Sequence, residues 1–197
     1  MNAEKLTQKS REAISAAQSV AVEHSHQQID QIHLLYALVS QENGLIGSLI
    51  QKMNIDKNAV LKAVEDKINS MPSVYVGNRP SDSVYITADL DRAINFAEKT
   101  SQKMKDSFVS VEHLMIGIIE TANADVKKIL GQFGIEKNKF LKVLSEVRGN
   151  ERVNTENPEE TYDVLKKYGQ DLVEAARNNK LDPVIGRDDE IRNVIRI

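Results

Sequence analysis

Apolar residues recur at helical spacing along most of the chain, and the pattern is repeated 80 residues later. Residues 6–68 align without a gap on residues 86–148, with twelve identical pairs among them. At many other aligned positions one apolar residue replaces another, as in Leu38 and Ile118 or Val60 and Phe140. A repeat of this period is typical of two copies of one multi-helix unit. The sequence therefore predicts an internal duplication.

Each copy is predicted to form four helices, because it contains four apolar-periodic segments with recognisable starts. The N-caps that we expect for the first, second and fourth helices are Thr7 and Thr87, Asp30 and Ser110, and Asp56 and Glu136. The third helix should end before Asn54 in one copy and Gly134 in the other, since both residues tolerate a left-handed backbone. An isoleucine, Ile55 or Ile135, precedes each fourth helix and is placed to form a hydrophobic staple.

The predicted fold class is all-α: two tandem, pseudo-symmetric four-helix repeats, followed by a linker and a further helix. Residues 71–85 contain two prolines and a glycine but no helical period, and they are predicted to be a surface connector. Residues 149–160 are polar and charged, which is typical of a flexible inter-domain linker. The predicted organisation is a repeat domain at 1–148 (repeats at about 1–70 and 86–148), a linker at 149–160 and the beginning of a second domain at 161–197.

The composition is that of an ordinary soluble protein, with 41% hydrophobic and 28% charged residues. A net charge of -3 argues against nucleic acid and anionic membranes as partners, because both attract clustered Lys and Arg. The chain contains no cysteine, no signal peptide and no apolar run of membrane-spanning length. We therefore expect a soluble, cytoplasmic protein.

No catalytic motif is found in the sequence. The phosphate-binding G-x-x-x-x-G-K-[ST] loop, the G-x-S-x-G elbow and the H-E-x-x-H helix are all missing. His24 and His26 have no third metal ligand at suitable spacing and are predicted to be surface residues. His33 and His113 each lie three residues after an N-cap, and we expect them to hydrogen-bond the helix start. The prediction is that this chain has no catalytic residues, no metal site and no enzymatic activity.

The stretch YGQDLVEAARNNKLDPVIGRDDEIR, residues 168–192, is long and specific. It resembles the segment that opens the first ATPase domain in the Clp (Hsp100) family of AAA+ proteins. The duplicated unit, with its TxxxxxAI pattern and its IHLL or EHLM helix start, resembles the amino-terminal repeat domain of the same family. Because the two resemblances together cover essentially the whole chain, we expect it to be the N-terminal part of a larger AAA+ ATPase.

The resemblance implies a role in handling unfolded polypeptide. In the branch that the chain resembles more, the protein disaggregases, the repeat domain binds unfolded or aggregated polypeptide and delivers it to a hexameric ring. The complete protein would bind ATP and Mg²⁺, form a homohexamer and work with Hsp70-system chaperones. This chain alone is expected to be a monomer without a cofactor. The alternative is an adaptor-docking domain of the unfoldase branch, which feeds a protease.

The resemblance also implies site residues for the substrate. Thr7, Asp106 and Glu112 match family positions that are linked to substrate engagement. We expect the substrate site to be a shallow apolar groove with a few polar groups on its rim, and we expect Asp106→Ala and Glu112→Ala to leave stability nearly unchanged. The two acids have no acidic counterpart in the first repeat, where His26 and Ile32 stand. Thr7 recurs in the second repeat and is equally explained as a helix cap.

A nucleotide-contacting turn is implied near the end of the chain. By resemblance, Pro183, Val184, Ile185 and Gly186 would contact the adenine of ATP in the complete protein. Without a phosphate loop we expect this turn to hold no nucleotide here. Two alternatives from other functional classes are left open: a chain that is itself an ATPase, and a nucleic-acid-binding helical repeat.

Overall fold

The computed structural model of the protein describes residues 3–73, 84–149 and 152–158, together with Arg192. The chain divides into two compact units, Met1–Tyr162 and Asp163–Ile197. Apart from Arg192, every described residue belongs to the first unit. The predicted start of a second domain at 161–197 lies otherwise outside the described residues and stays a prediction. Among the described residues, no helix is both long enough and apolar enough to cross a membrane.

The structure confirms four helices in each repeat. The first repeat contains α1 (Gln8–Glu23), α2 (Gln31–Ser40), α3 (Leu45–Lys52) and α4 (Lys57–Asn69). The second repeat contains α5 (Ala88–Met104), α6 (Val111–Thr121), α7 (Ala124–Gln132) and α8 (Lys137–Arg148). A short 3₁₀ turn, Ala3–Lys5, precedes α1. Three of the four helix starts repeat after 80 residues, and the start of α7 follows that of α3 by 79.

The predicted helix ends are also confirmed. Thr7 Oγ1 accepts a hydrogen bond from the Ser10 N–H at 3.3 Å, and Thr87 Oγ1 accepts one from the Leu90 N–H at 3.1 Å. Both are N-cap bonds of the expected kind. After α3 and α7 the chain turns through Asn54 at φ 59° and Gly134 at φ 64°. Because the same solutions appear in both repeats, local sequence signals determine these boundaries.

The central helices of the two repeats are α2 and α6, and eight residues of each are buried. They lie in one continuous apolar cluster that includes residues of every helix. On α1 the side that faces the core is lined by small residues, Ala13, Ala17 and Ala21, all of which are buried. Small side chains let two helices approach closely, so α1 and α2 can pack at short range.

The two repeats are interlocked by short parallel strand pairings. Strand β1 (Gln28–Ile29) pairs with β2 (Tyr85–Ile86), and Leu6 forms a single bridge with Val109. Leu6 and Val109 are the repeat counterparts of Ile86 and Ile29. The residues just before the first helix of each repeat therefore pair with the residues just before the second helix of the other repeat.

The predicted surface connector between the repeats ends in a short strand. Tyr85, the last residue of the 71–85 stretch, begins β2. Residues 74–83 lie outside the described part of the chain. A two-residue strand has too few positions for an alternating pattern, and so the sequence contained no signal for it.

The stretch predicted to be a flexible linker, 149–160, is also corrected by the structure. Its described residues, 152–158, belong to the same compact unit as the repeats. Val153 is completely buried. The Gln8 N–H donates a hydrogen bond to the Glu156 carbonyl at 2.9 Å. This part of the predicted linker is therefore packed against the repeat domain.

Candidate functional site

Asp106 is the centre of a buried polar cluster. It follows Lys105, the residue that closes α5 with a left-handed φ of 61°, and a short loop separates it from α6. Its Oδ2 lies 3.0 Å from His113 Nε2, and its Oδ1 is bound by the Arg148 guanidinium. The Val153 N–H donates to the same Oδ1 at 2.9 Å. Three donors from three parts of the chain thus converge on one carboxylate.

These donors keep Asp106 ionised. Burial alone would raise the pKa of the Asp106 carboxyl group, because a low-dielectric setting disfavours its charged form. The hydrogen bonds from His113, Arg148 and the Val153 N–H outweigh burial and lower the pKa to about 2. At neutral pH the site therefore contains a buried carboxylate with a guanidinium beside it.

His113 has a defined tautomer, set by the start of α6. Its Nδ1 accepts a hydrogen bond from the Ser110 N–H at 3.1 Å, within a capping box. In the neutral ring Nε2 must then carry the proton, and it donates that proton to Asp106. The prediction that His33 and His113 hydrogen-bond the helix start is confirmed, since His33 Nδ1 accepts from the Asp30 N–H at 2.9 Å.

Glu112 and Thr7 complete the predicted set, and both are buried. Glu112 Oε1 lies 3.8 Å from Arg148 Nη1, so that one guanidinium contacts two carboxylates. Thr7 caps α1, and its N–H donates to the Val109 carbonyl at 3.1 Å, three residues along from Asp106. The structure therefore brings all three predicted residues into one region.

None of these three residues is exposed. The residue exposures are 0% for Thr7, 9% for Asp106 and 0% for Glu112. A buried carboxylate is stable only with hydrogen-bonding and charged partners, which accounts for the donors around it. Their role in substrate engagement stays a prediction, and any direct contact must involve the surface that they support.

That surface contacts a bent segment of the chain itself, in which the Asn154 N–H donates to the Arg152 carbonyl at 3.0 Å. The Val153 carbonyl accepts hydrogen bonds from the Ser107 N–H at 3.0 Å and from the Phe108 N–H at 3.3 Å. Arg11 Nη2 lies 2.9 Å from Glu156 Oε2. We call the groups that make these contacts the Asp106 surface: Asp106, Ser107, Phe108, Gln8 and Arg11. It binds both the main-chain N–H and the main-chain carbonyl of one residue, Val153.

The equivalent place in the first repeat has different chemistry. His26 is the counterpart of Asp106, and its Nδ1 lies 2.9 Å from His33 Nε2. The prediction that His26 is a surface residue is wrong, because it is only 6% exposed. Burial is the main cause that lowers the pKa of His26 and lowers the pKa of His33 to about 4. The His26–His33 pair is therefore neutral, whereas Asp106 forms an ion pair with Arg148.

A cavity of about 530 Å³ adjoins His26. Among its lining residues are the counterparts of four residues of the Asp106 surface, His26, Gln27, Gln28 and Ala88, together with Thr87 and Asp89. The structure therefore forms a concave surface between the start of α5 and the loop before α2.

No metal or nucleotide chemistry can be derived from the described residues. Within them, no group of three or more His, Asp or Glu side chains could hold a metal ion. The turn at 183–186, which resemblance assigns to the adenine of ATP, lies outside the described residues. Its role stays a prediction.

A family profile of Clp repeat (R) N-terminal domains matches residues 5–133, about two thirds of the chain. The chain belongs to this family. It is 45% identical over 197 residues to the chaperone protein ClpB of Clostridium tetani, and 43% identical to ClpB of Bacillus anthracis. Each alignment covers 100% of this chain and 23% of the relative, so the chain spans less than a quarter of the length of these ClpB proteins.

Solved structures of similar fold agree with this assignment. The Hsp104 N-terminal domain from Candida albicans matches with a TM-score of 0.69 at 20% identity, covering 79% of this chain and 99% of that one. The N-terminal domain of ClpD from Arabidopsis thaliana matches with a TM-score of 0.57 at 20% identity, covering 76% and 98%. At these identities the likeness shows the all-helical Clp N-domain fold, and it carries no statement about ligands.

Two functional candidates were missed by the sequence analysis, Arg148 and Val153. A signal for Arg148 did exist, because its repeat counterpart is Ile68 and an arginine at an apolar repeat position needs an acidic partner. The counterpart of Asp106 is also a non-acidic residue, His26. Two coordinated departures from the repeat pattern would have suggested the pair. Val153 gave no such signal, since one valine in a polar stretch has no period.

Proposed function

We propose that this ClpB-type N-domain is the substrate-engaging module of an ATP-dependent protein disaggregase. It binds unfolded or aggregated polypeptide and delivers it to a hexameric AAA+ ring. The observation that carries the proposal is the contact of the Asp106 surface with Val153, in which a carboxylate binds the N–H and two main-chain N–H groups bind the carbonyl.

Main-chain recognition suits a module with many clients. Every polypeptide offers the same N–H and carbonyl groups, but a folded protein has already paired most of them. A surface that binds main-chain N–H and carbonyl groups therefore distinguishes unfolded from folded protein without reading a long sequence. The complete burial of the Val153 side chain would add a preference for the aliphatic residues that unfolding exposes.

Similarity to ClpB across the whole chain supports the wider setting of the proposal. In the complete protein we propose bound ATP and Mg²⁺, a homohexameric ring, cooperation with Hsp70-system chaperones and a cytoplasmic location. This chain contributes neither nucleotide hydrolysis nor the ring in this scheme. Its part is to raise the local concentration of client polypeptide near the ring.

Binding of a permanently unfolded protein tests the proposal. The full chain is titrated against a reduced, alkylated model protein labelled with a fluorophore, and the native form of that protein is the matched control. We expect the anisotropy to rise for the unfolded form only. Binding of a folded adaptor protein, with none of the unfolded form at the highest concentration, would favour the adaptor-docking alternative of ClpC- and ClpA-type unfoldases.

A further inference from the structure

Residues 152–156 contact the Asp106 surface in the way that a bound peptide would. We propose that this segment is a tethered ligand of the polypeptide site, and that external polypeptide with an aliphatic residue followed three positions later by an acidic residue binds there by displacing it. The inference rests on the proposed function and adds to it a sequence preference and a built-in competitor.

The main-chain contacts of the segment involve both polar groups of Val153. Its N–H donates to Asp106 Oδ1, and its carbonyl accepts from the N–H groups of Ser107 and Phe108. Main-chain groups are common to all polypeptides, so another chain can form the same three hydrogen bonds. These contacts place a polypeptide on the site without regard to its sequence.

The side-chain contacts of the segment supply the sequence preference. Val153 is completely buried, yet it lies outside the continuous apolar core that joins the helices. Three positions later Glu156 pairs with Arg11, and its carbonyl accepts from the Gln8 N–H at the start of α1. The residues between them, Asn154 and Thr155, are exposed. The site therefore selects an aliphatic residue and an acid at a spacing of three.

Few of the segment's residues are buried, so the segment can leave the Asp106 surface without unfolding of the domain. Of residues 152–156 only Val153 is buried, and the side chains of Glu156 and Arg11 are 60% and 38% exposed. Exposed ion pairs of this kind contribute little to stability. The segment follows Gly149, whose φ of 59° turns the chain after α8. A tether this short gives the segment a high effective concentration at the site.

In the first repeat, the part of the fold equivalent to the Asp106 surface forms a concave surface without any contribution from residues 152–156. The counterpart surface around His26 forms the cavity of about 530 Å³. There the carboxylate of Asp106 is replaced by a ring whose Nδ1 accepts from His33, so the strong acceptor for a main-chain N–H is missing. The peptide preference should therefore belong to the Asp106 surface alone.

A tethered ligand lowers the apparent affinity for external polypeptide in proportion to the fraction of sites that it leaves free. The test uses the full chain and a labelled six-residue peptide of the sequence RVNTEN, residues 152–157. Val153→Asp should release the segment, because it would place a carboxylate where the side chain is completely buried. Thr155→Asp is the matched control, since it adds the same charge at an exposed position of the same segment.

We expect Val153→Asp to bind the peptide about tenfold or more tightly than either the parent chain or Thr155→Asp. A tenfold difference corresponds to a segment that occupies the site in about nine molecules out of ten. The peptide with aspartate in place of its valine should not bind. If Val153→Asp binds the peptide no better than Thr155→Asp, while circular dichroism shows both folded, the inference is overturned.

The charged contact gives a second test, whose added substitution is at a residue that is only partly buried. In the Val153→Asp background, Arg11→Glu should weaken binding of the peptide, and a peptide with lysine in place of its glutamate should bind this double variant better. Arg11 Nη1 also donates to the Leu6 carbonyl, so loss of affinity alone could be structural. A gain of affinity for the lysine peptide has no such structural explanation. If the double variant does not bind the lysine peptide better, the assignment of Arg11 is contradicted.

The unfolded client separates this inference from the proposed function. Tighter binding of the unfolded protein by Val153→Asp than by the parent chain, with competition by the peptide, supports both. Equal binding by the two chains without competition by the peptide overturns the tethered ligand and leaves the proposed function standing. If neither chain binds the unfolded protein, the proposed function is wrong and the inference falls with it.

Discussion

His26 and Asp106 occupy the same position in the two repeats, and each contacts the histidine that caps the following helix. His26 Nδ1 lies 2.9 Å from His33 Nε2, and Asp106 Oδ2 lies 3.0 Å from His113 Nε2. The geometry has been kept while the charge differs. One repeat contains a neutral pair of rings, and the other contains a carboxylate that also contacts Arg148 and Val153.

Asp106→Ala should destabilise the domain strongly. The change leaves the Arg148 guanidinium and the His113 Nε2–H buried without their acceptor, and breaking a buried pair in this way costs about 3–5 kcal/mol. Urea denaturation at pH 7 would measure the loss. This reverses the expectation from sequence that the residue contributes little to stability.

The control for that measurement is His26→Ala, which removes a neutral partner from the equivalent place. Its cost should be smaller, about 1–3 kcal/mol, because no charge is left unpaired. An Asp106→Ala variant as stable as the parent chain would mean that the carboxylate is not held as the structure indicates.

Stability should fall on mild acidification because of His33. Its folded-state pKa of about 4 lies below the ordinary value of 6.5, so the unfolded chain binds protons more readily. The contribution is complete above about pH 6.5 and decreases as the pH falls towards 4. His24 and His26 lie beside the ring and add to the effect, whereas Asp30 opposes it. Between pH 7.5 and pH 5 the free energy of unfolding should decrease by about 2 kcal/mol.

His26→Asp should reduce this acid sensitivity, because it gives His33 the partner that His113 already has. A carboxylate next to the ring favours the protonated form and raises the pKa of His33. The loss between pH 7.5 and pH 5 should shrink to less than about 1 kcal/mol, measured by urea denaturation at both values. Stability at pH 7.5 should be lower than in the parent chain, since the counterpart of Arg148 is Ile68 and supplies no positive charge. If the pH dependence of stability is unchanged, a group other than His33 causes the acid sensitivity.

The repeat made most of this fold predictable from sequence. Caps such as Thr7 and Thr87, and the helix ends at Asn54 and Gly134, were identified because two copies offered the same solution twice. Signals of this kind are local, and they act within a few residues of the boundary that they define.

What could not be predicted depends on contacts between distant parts of the chain. His24 and His26 are separated by one residue, yet only His26 is buried, where it contacts His33. Val153 lies in a polar stretch, and its main-chain N–H and carbonyl are bonded by residues more than forty positions away. Asp106 and Glu112 were identified through resemblance, but their burial could not be predicted. It depends on the charge of Arg148, which only the packing of the helices brings beside them.

The two staple residues should differ in their importance for stability. Ile135 is 3% exposed, whereas its counterpart Ile55 is only half-buried at the edge of the core. Ile135→Ala should therefore cost about 2–5 kcal/mol, and Ile55→Ala should cost less than about 2 kcal/mol. Chemical denaturation of the two variants side by side gives the comparison. Equal losses would mean that burial does not govern the contribution of the staple.

Gly117→Ala should destabilise the domain although alanine is the better helix former. A Cβ at this position would lie 2.2 Å from the main-chain oxygen of Ala93 and 3.3 Å from the main-chain nitrogen of Ala97, because α5 passes closely over α6. Helix propensity favours alanine by only about 1 kcal/mol, whereas overpacking a core typically costs about 1–3 kcal/mol and more where rigid backbone must move. We expect a net loss of about 1–3 kcal/mol in chemical denaturation.

Gly131→Ala is the matched control for that variant, since Gly131 also lies inside a helix but a Cβ there would meet nothing within 4 Å. It should raise stability by a few tenths to about 1 kcal/mol through helix propensity alone. The repeat counterpart of Gly117 is Ala37, which is buried in α2, so the fold accepts a methyl group at this position in one repeat. A Gly117→Ala variant as stable as Gly131→Ala would therefore show that α5 and α6 can move apart to accept the methyl group, and that the close contact is not required.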